Sequence, residues 1–329
     1  MRAALRCIAV LFALVLFTAT VAPAADLVLN GGTAWKKDFV FNDGFWEFKR
    51  RVEKLSGGKI EVRWKGGPEI APAFEMLSLV QRGVLDVLNS TGAYFTDKMA
   101  EGVFLDYFEG PVSGLREGGV IDFFDKIQQE RTGVKLLGLP SGLVSYAIFT
   151  RKPVKTLADF KGMKLRGTPT YLPIADSLGA SMIRMPYSDL YAALERGVVD
   201  GYFFPVIGTL GAKIHEQICC IVKPFFLTVR TWLYFSLKTW NRLTPEQRKL
   251  LTDAVVETEG WAPAHYDKFI QAEHNTLVSK HGIQIIELPE DEGKRLREIA
   301  YEASWKKFVP VSPQYGKQIR ELARRFEGK

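Results

Sequence analysis

KGMKLRGTPTYLPIADSLGASMIRMPYSDLYAALERGVVDGYFFP, residues 161–205, decides the fold of this chain. It reads as strand, loop, helix, strand, helix, strand. The first strand, KGMKLR, ends in Arg166, just before a polar loop and a Pro-started helix. In an open α/β sheet, ligands bind outside the carboxyl ends of the strands. A guanidinium placed there offers two parallel donors that match a carboxylate. Arg166 is therefore read as the group that holds a ligand carboxylate, with Thr168 in the loop beside it as a further candidate.

Outward from this stretch, an internal similarity sets the architecture. Glu75-Met76 through Gln81-Arg82-Gly83-Val84-Leu85-Asp86 matches Asp189-Leu190 through Glu195-Arg196-Gly197-Val198-Val199-Asp200, at an offset of 114 residues. Each copy is an amphipathic helix, a Gly C-cap after Arg, and a Val-rich strand carrying Asp. Two related α/β lobes explain it; chance recurrence of a common helix–Gly–strand unit is the competing explanation.

Before the stretch, LVLNGG reads as a buried strand ending in a Gly turn, and Trp35-Lys36-Lys37 as a loop. Phe45, Phe48, Val52 and Leu55 mark one face of a helix that Gly57-Gly58 ends. KIEVRW is a strand, Gly66-Gly67-Pro68-Glu69 a loop, 73–82 a helix, VLDVLN a strand, 90–94 a loop and 115–131 a helix. VKLLGL and LVSYAIF are the next strands. Strands alternating with helices predict a largely parallel, covered sheet. Past Pro205 come a short helix, a strand pair (ICCIV, then TWLYFSL) and a long helix opened by a Thr244–Gln247 capping box with Pro245. That helix is expected to reach residue 280 with a break at 260–263. HGIQIIEL is a late strand, and helices at 289–308 and 314–326 close the chain, crossing back to brace both lobes.

A length of 329 residues is enough for two domains with sizeable cores. The net charge of +7 is spread thinly, with no basic run interleaved with aromatics, so nucleic acid is not an expected partner. Arg2 and Arg6, an apolar stretch at 7–21 and Ala22-Pro23-Ala24 read as a cleaved export leader; an uncleaved anchor is the alternative. The stretch is short for a membrane span. Cys7 lies inside it, which argues against a lipoprotein. The two remaining cysteines, Cys219 and Cys220, are neighbours and are expected to be buried thiols rather than a vicinal disulfide.

Catalytic patterns are missing. His215, His265, His274 and His281 form no HExxH or metal spacing, so no metal and no cofactor are expected. There is no GxSxG, no GxGxxG after the first strand, and the SGGK at 56–59 lacks the rest of a phosphate loop. The chain is read as a binding protein, not an enzyme. Carboxylates brought together only by folding are the enzymatic route left open.

KTLADFKGMKLRGTPTY and LGASMIRMPYSDLYAALERGVVDG closely resemble the extracytoplasmic solute-binding subunits of tripartite ATP-independent periplasmic (TRAP) transporters, the DctP family. In that family the segment reads as a D-x-K-G-x-K-x-R strand, then G-A-x-x-x-x-M-P-x-x-E-x-Y-x-A-L-x-x-G-x-V-D-G. Asp159, Gly162, Lys164, Arg166, Gly179, Ala180, Met185, Pro186, Tyr191, Ala193, Leu194, Gly197, Val199, Asp200 and Gly201 fit, with Asp189 in place of Glu. WNRLTPEQRKLL extends the likeness. The resemblance implies two α/β lobes around a ligand cleft, joined by hinge strands and a long hinge helix. It places a signal peptide at 1–25, lobe I at 26–147 with a return at 232–271, and lobe II at 148–231 with a return at 272–329. It implies that Arg166 grips the ligand carboxylate. It also implies a periplasmic protein that delivers its ligand to a membrane permease driven by an ion gradient.

Three departures narrow the ligand. Many members carry Gln-Glu-Asn-Pro where this chain has Tyr202-Phe203-Phe204-Pro205, so Phe204 takes the Asn position. Tyr146 stands where sialic-acid binders have a second Arg. Glu69 follows Gly-Pro at the cleft rim, where it either starts the next helix or meets a ligand cation, a hydroxyl or a metal ion. One carboxylate clamp with aromatic walls is expected. Trp35, Tyr94, Tyr171, Phe203 and Phe204 are the wall candidates, each equally a candidate for plain core packing; Phe203 and Phe204 should face opposite sides of their strand, so one of them faces the ligand. The expected ligand is a small monocarboxylate with an apolar or aromatic body, such as a 2-oxo acid or an aromatic acid. The rivals are a betaine- or ectoine-like zwitterion held by Glu69 and the aromatic walls, a periplasmic enzyme on the same fold, and a partner of a sensor kinase. A monomer is expected, with KQIRELARRF a solvated face.

If the leader is cleaved as read, intact mass of the exported chain will correspond to a start at Ala25 or Asp26. Recovery of a chain that retains residues 1–24 refutes the leader.

Overall fold

Two sheets organise the chain. The computed structural model describes residues 25–142 and 144–327; the leader read at 1–25 lies, apart from Ala25, outside the described residues. The first sheet contains β1 (Leu27–Thr33), β2 (Ile60–Gly66), β3 (Val87–Ser90), β4 (Val134–Gly138) and β10 (Trp232–Ser236), in the order β2-β1-β3-β10-β4. The second contains β5 (Val144–Thr150), β6 (Lys164–Gly167), β7 (Ser181–Arg184), β8 (Gly201–Pro205), β9 (Cys220–Val229) and β11 (Gln284–Glu287), in the order β11-β9-β5-β8-β6-β7. The helices in chain order are α1 (Asp43–Leu55), α2 (Met76–Gln81), α3 (Val112–Glu117), α4 (Val120–Thr132), α5 (Leu172–Ser177), α6 (Leu190–Glu195), α7 (Leu237–Arg242), α8 (Pro245–His281), α9 (Glu290–Glu298), α10 (Ser304–Phe308) and α11 (Gly316–Arg324).

The internal repeat has a structural counterpart. In each lobe a short helix ends at a left-handed Gly, Gly83 at φ 74° and Gly197 at φ 68°, and leads into β3 or β8. The Asp at the head of each strand then binds the backbone of its parallel neighbour. Asp86 accepts from Asn30 N at 2.8 Å and Asp200 from Lys164 N at 2.9 Å. The reciprocal bonds, Asp86 N to Asn30 O and Asp200 N to Lys164 O, are both 2.7 Å. Each carboxylate thus supplies one more acceptor at the head of the ladder and pins the register.

Both sheets are mixed rather than largely parallel. β10 runs antiparallel to β3 and β4, and β5 antiparallel to β8 and β9. These two strands lie next to the points where the chain changes sheets. It leaves the first sheet after Gly138 and returns at Arg230-Thr231. The segments read as a strand pair, β9 and β10, are consecutive but lie in different sheets. The sequence shows two apolar runs; it does not show that the chain crosses between them.

α8 is one helix of 37 residues, with no break at 260–263. Pro263 removes the N–H that would reach the carbonyl of Glu259, which ordinarily kinks a helix. Here contacts along its length hold it. Glu259 binds Arg116 at 2.7 Å and accepts from Leu139 N at 2.9 Å. Tyr266, fully buried, donates to Val40 O at 3.2 Å. Glu273, 3% exposed, accepts from Gly208 N and Leu210 N in the second lobe at 2.8 and 2.9 Å. One helix is therefore tied to both lobes. The closing helices also reach both: Trp305 stacks on Phe104 at 5.3 Å, and Lys307 pairs with Asp176 of α5 at 2.6 Å.

Smaller corrections have local causes. The helix read at 115–131 is split into α3 and α4 by Gly118-Gly119, with Gly119 at φ 73°. Leu55 is exposed, because α1 ends there, while Phe45, Phe48 and Val52 are buried. Cys219 and Cys220 form a disulfide rather than two thiols. Cys219 precedes β9, so strand alternation does not turn the two side chains apart.

α1 touches the crossing segment closely. A Cβ on Gly44 would lie 2.0 Å from the Pro140 carbonyl oxygen, whereas one on Gly260 in α8 would meet nothing. Helix propensity favours Ala at both sites by about 1 kcal/mol. We expect Gly260→Ala to gain up to that amount in a denaturant melt, and Gly44→Ala to lose about 1–3 kcal/mol through overpacking. Equal gains at both sites would refute the close approach.

Candidate ligand-binding site

The site is built around the carboxyl end of β6. Arg166 pairs in register with Ile183 of β7 and Tyr202 of β8, so its side chain rises between two strands. It is 1% exposed. Its Nε donates to Met185 O at 3.0 Å and Nη1 to Phe203 O at 3.5 Å. Neither acceptor is a carboxylate. Nη2 is buried and has no hydrogen-bond partner among the described residues. The faces of Tyr187 and Phe204 lie 5.8 and 5.7 Å from Cζ. A guanidinium held by two carbonyls and two rings retains the two N–H groups of Nη2 for an anion.

The rings continue outward as a box. Phe204 stacks on Tyr187 at 3.8 Å and lies 5.9 Å from Phe41. Trp35 meets Phe41 edge-on at 5.3 Å and Tyr94 at 5.9 Å. Trp35, Phe39, Tyr94, Tyr187 and Glu273 line a cavity of about 750 Å³. Arg166 is not in its wall; it sits behind Tyr187 and Phe204.

A second polar nest adjoins the first. β5 is irregular on both sides of Tyr146, and its partner strand carries Leu227 at φ 51°. Such a bulge re-aims a side chain. The Tyr146 hydroxyl donates to Asp106 Oδ2 at 3.2 Å, and its ring meets Tyr171 edge-on at 4.9 Å. Tyr171 stacks on Phe203 at 5.0 Å. The Tyr107 hydroxyl donates to Thr170 O at 3.1 Å. Asp106 and Tyr107 lie on a 3-10 segment, Ala100–Tyr107; Tyr146, inside the 26–147 bounds expected for lobe I, lies on β5 of the second sheet, as Thr170 lies beside β6 of that sheet, so both bonds join the two sides.

Asp106 is 1% exposed, and burial pushes its carboxyl up to about 8 against the pull of Arg230 and the Tyr146 hydrogen bond. Burial likewise lowers Arg230 to about 10. Arg230 is held at the crossing by Leu105 O and Gly110 O at 3.2 and 2.8 Å. Burial raises the Tyr171 phenol well above its usual range; Asp106 raises it further and Arg166 lowers it, so one hydroxyl feels both groups.

Of the residues singled out in the sequence, Arg166, Tyr171, Phe203 and Phe204 meet at the inner end, Trp35 and Tyr94 at the cavity, and Tyr146 at the second nest. Phe203 and Phe204 do face opposite sides, yet both serve Arg166, one through its carbonyl and one through its ring. Thr168 is buried, and its carbonyl accepts from Tyr171 N at 3.0 Å. Glu69 is exposed and accepts from Gly67 N at 2.7 Å; it closes its own loop and does not cap the helix that follows. Asp106, Tyr187 and Glu273 were missed. The signal for Asp106 was one acid inside the aromatic run FLDYF; Glu273, one of many helical acids, gave none.

The model of the bacterial extracellular solute-binding proteins of family 7, DctP, matches residues 31–310. A monocarboxylate 2-oxoacid-binding periplasmic protein of Nostoc sp. is 20% identical over 286 residues, covering 82% of this chain and 76% of that protein. A TRAP periplasmic solute-binding protein of Desulfovibrio salexigens with bound orotic acid superposes with a TM-score of 0.82 at 20% identity, over 91% of this chain and 97% of that one. One from Roseobacter denitrificans with bound L-galactonate gives 0.78 at 17% identity, over 91% and 99%. By the family match, which spans most of its length, this chain belongs to the DctP family, the solute-binding proteins of TRAP transporters.

Proposed function

We propose that this protein captures a small monocarboxylate with an apolar or aromatic body, such as a 2-oxo acid or an aromatic acid, and presents it to TRAP permease subunits. Members of the family bind small-molecule ligands in the periplasm and deliver them to the membrane. Among the described residues, no helix is long and apolar enough to cross a membrane. The leader at 1–25 is the proposed route of export.

What carries the ligand class is the buried Arg166 behind the rings of Tyr187 and Phe204, its Nη2 without a partner among the described residues. A buried charged donor left unpaired is costly, and a ligand carboxylate removes that cost. The rings around it offer dispersion and exclude water, which strengthens the charge contact. The relatives support an acid: one carries a 2-oxoacid in its name, and others hold orotic acid or a sugar acid. A zwitterion would need its cationic end held as well, by a carboxylate or by ring faces. Of the acids lining the cavity, Glu273 already accepts two backbone N–H bonds, which leaves Asp38. Closure of the lobes over the ligand is the motion that would link capture to delivery.

Calorimetry with 4-methyl-2-oxopentanoate and phenylpyruvate, beside glycine betaine and ectoine, tests this reading. Arg166→Ala should cost about 2–5 kcal/mol, roughly 30-fold to several thousandfold in affinity. Arg166→Lys keeps the charge without the fork and should fall between. Unchanged acid affinity in Arg166→Ala, or binding of the zwitterions alone, would sink the proposal.

A further inference from the structure

We propose that the cavity between the lobes seats the apolar body of the ligand and sets its length, so that 2-oxo acids of about eight carbons bind in preference to those of about five. The inference rests on the monocarboxylate reading above and narrows it to long-bodied acids.

The cavity draws on three parts of the fold. Trp35, Phe39 and Tyr94 come from the first lobe, Tyr187 and Ile214 from the second, and Phe269 from α8. Its volume of about 750 Å³ lies in the range of pockets that take drug-sized ligands. A five-carbon acid displaces roughly five waters, about 150 Å³ at about 30 Å³ each. Most of the cavity would then hold water against ring faces. A longer body displaces that water, and each further methylene buried there raises affinity about fourfold.

The wall is sorted by polarity. Trp35, Tyr94, Tyr187 and Ile214 are buried. The charged side chains Lys36, Asp38 and Lys213 are exposed, which places them at the mouth. Glu273 is the buried charged group of the wall, and both its oxygens already serve the backbone, accepting from Gly208 N and Leu210 N at 2.8 and 2.9 Å. The interior therefore suits an uncharged, apolar body. Phe269, 41% exposed, is a large apolar side chain left facing water, and a body long enough to reach it covers it.

Tyr187 joins the cavity to the charge. Its ring lies 5.8 Å from Arg166 Cζ and stacks on Phe204 at 3.8 Å, and the same residue lines the cavity. The guanidinium and the cavity are thus separated by the thickness of an aromatic ring. The Tyr187 hydroxyl donates to Gly208 O at 3.0 Å, which fixes the tip of that ring. Turning the ring aside opens the way from the cavity to Nη2, with the carboxylate at the inner end and the body in the cavity.

The test titrates the full mature chain calorimetrically with 2-oxopentanoate and 2-oxooctanoate. Wild type should bind the longer acid more tightly by on the order of tenfold or more. Ala272 and Gly211 line the cavity and are exposed, and a Cβ on Gly211 would meet nothing. Ala272→Trp and Gly211→Leu put bulk into that space. Each should bring the ratio of the two affinities down by about tenfold, because the longer body loses its room. Melts check that the variants fold, and if one does not, the other decides. A wild-type ratio in the folded variants overturns the assignment. Equal or weaker binding of 2-oxooctanoate by wild type, with acid binding still abolished in Arg166→Ala, overturns the cavity assignment alone. Binding of neither acid overturns the carboxylate reading, and this assignment with it.

Discussion

A guanidinium buried with no carboxylate partner among the described residues is the constraint on which the rest of the structure turns. Desolvating a guanidinium is expensive. The fold meets part of that cost with the carbonyls of Met185 and Phe203 and with two ring faces. The requirements propagate. β6 must lie between β7 and β8 so that both neighbours can lend carbonyls and rings. The turn after β7 must bring Met185, Pro186 and Tyr187 over the strand end. The Tyr-Phe-Phe-Pro run of β8 must present a carbonyl at Phe203 and a ring at Phe204.

The two lobes share this task unequally. The second lobe supplies the charge and its immediate support. The first supplies Trp35, Phe39, Phe41 and Tyr94, of which Phe39 and Phe41 meet Tyr187 and Phe204 across the gap. It also supplies Asp106 and Tyr107, whose bonds to Tyr146 and Thr170 are made deep between the lobes. The contacts of Arg166 itself come from the second lobe, and the first lobe packs against the rings that cover it. The geometry of the enclosure depends on the crossing segments and on α8, which Glu259 and Glu273 tie to opposite lobes.

What was legible in the sequence follows from how local each signal is. The helix–Gly–strand repeat is local, and its two aspartates do the same job on β1 and β6. Arg166 was legible because a strand end beside a Pro-started helix is a pattern of a few residues. The separation of β9 from β10 was not, because two adjacent apolar runs look alike whether they pair or part. The continuity of α8 across Pro263 was hidden too: the residues that hold it, such as Arg116 and Leu139, are more than a hundred positions away. The disulfide at Cys219–Cys220 turns on where a strand begins, a boundary that sequence places to within only a few residues. Asp106 was overlooked because its meaning comes from Tyr146, Arg230 and burial together.

The threading of the strands also governs how the chain can assemble. β10 lies between β3 and β4, yet it arrives only at residue 232, after the whole second sheet except its edge strand β11 has been specified. As a chain is read from its N-terminus, β3 and β4 have no partner to join them until that strand appears. Early segments of the first lobe therefore lack a complete sheet, and the lobes cannot mature one after the other. Native structure depends on contacts distant along the sequence, a topology that folds slowly and as one cooperative unit. A cut at the first crossing would leave an N-terminal fragment without β10, and a cut at Arg230-Thr231 would leave both sheets incomplete in the N-terminal fragment, the first without β10 and the second without β11.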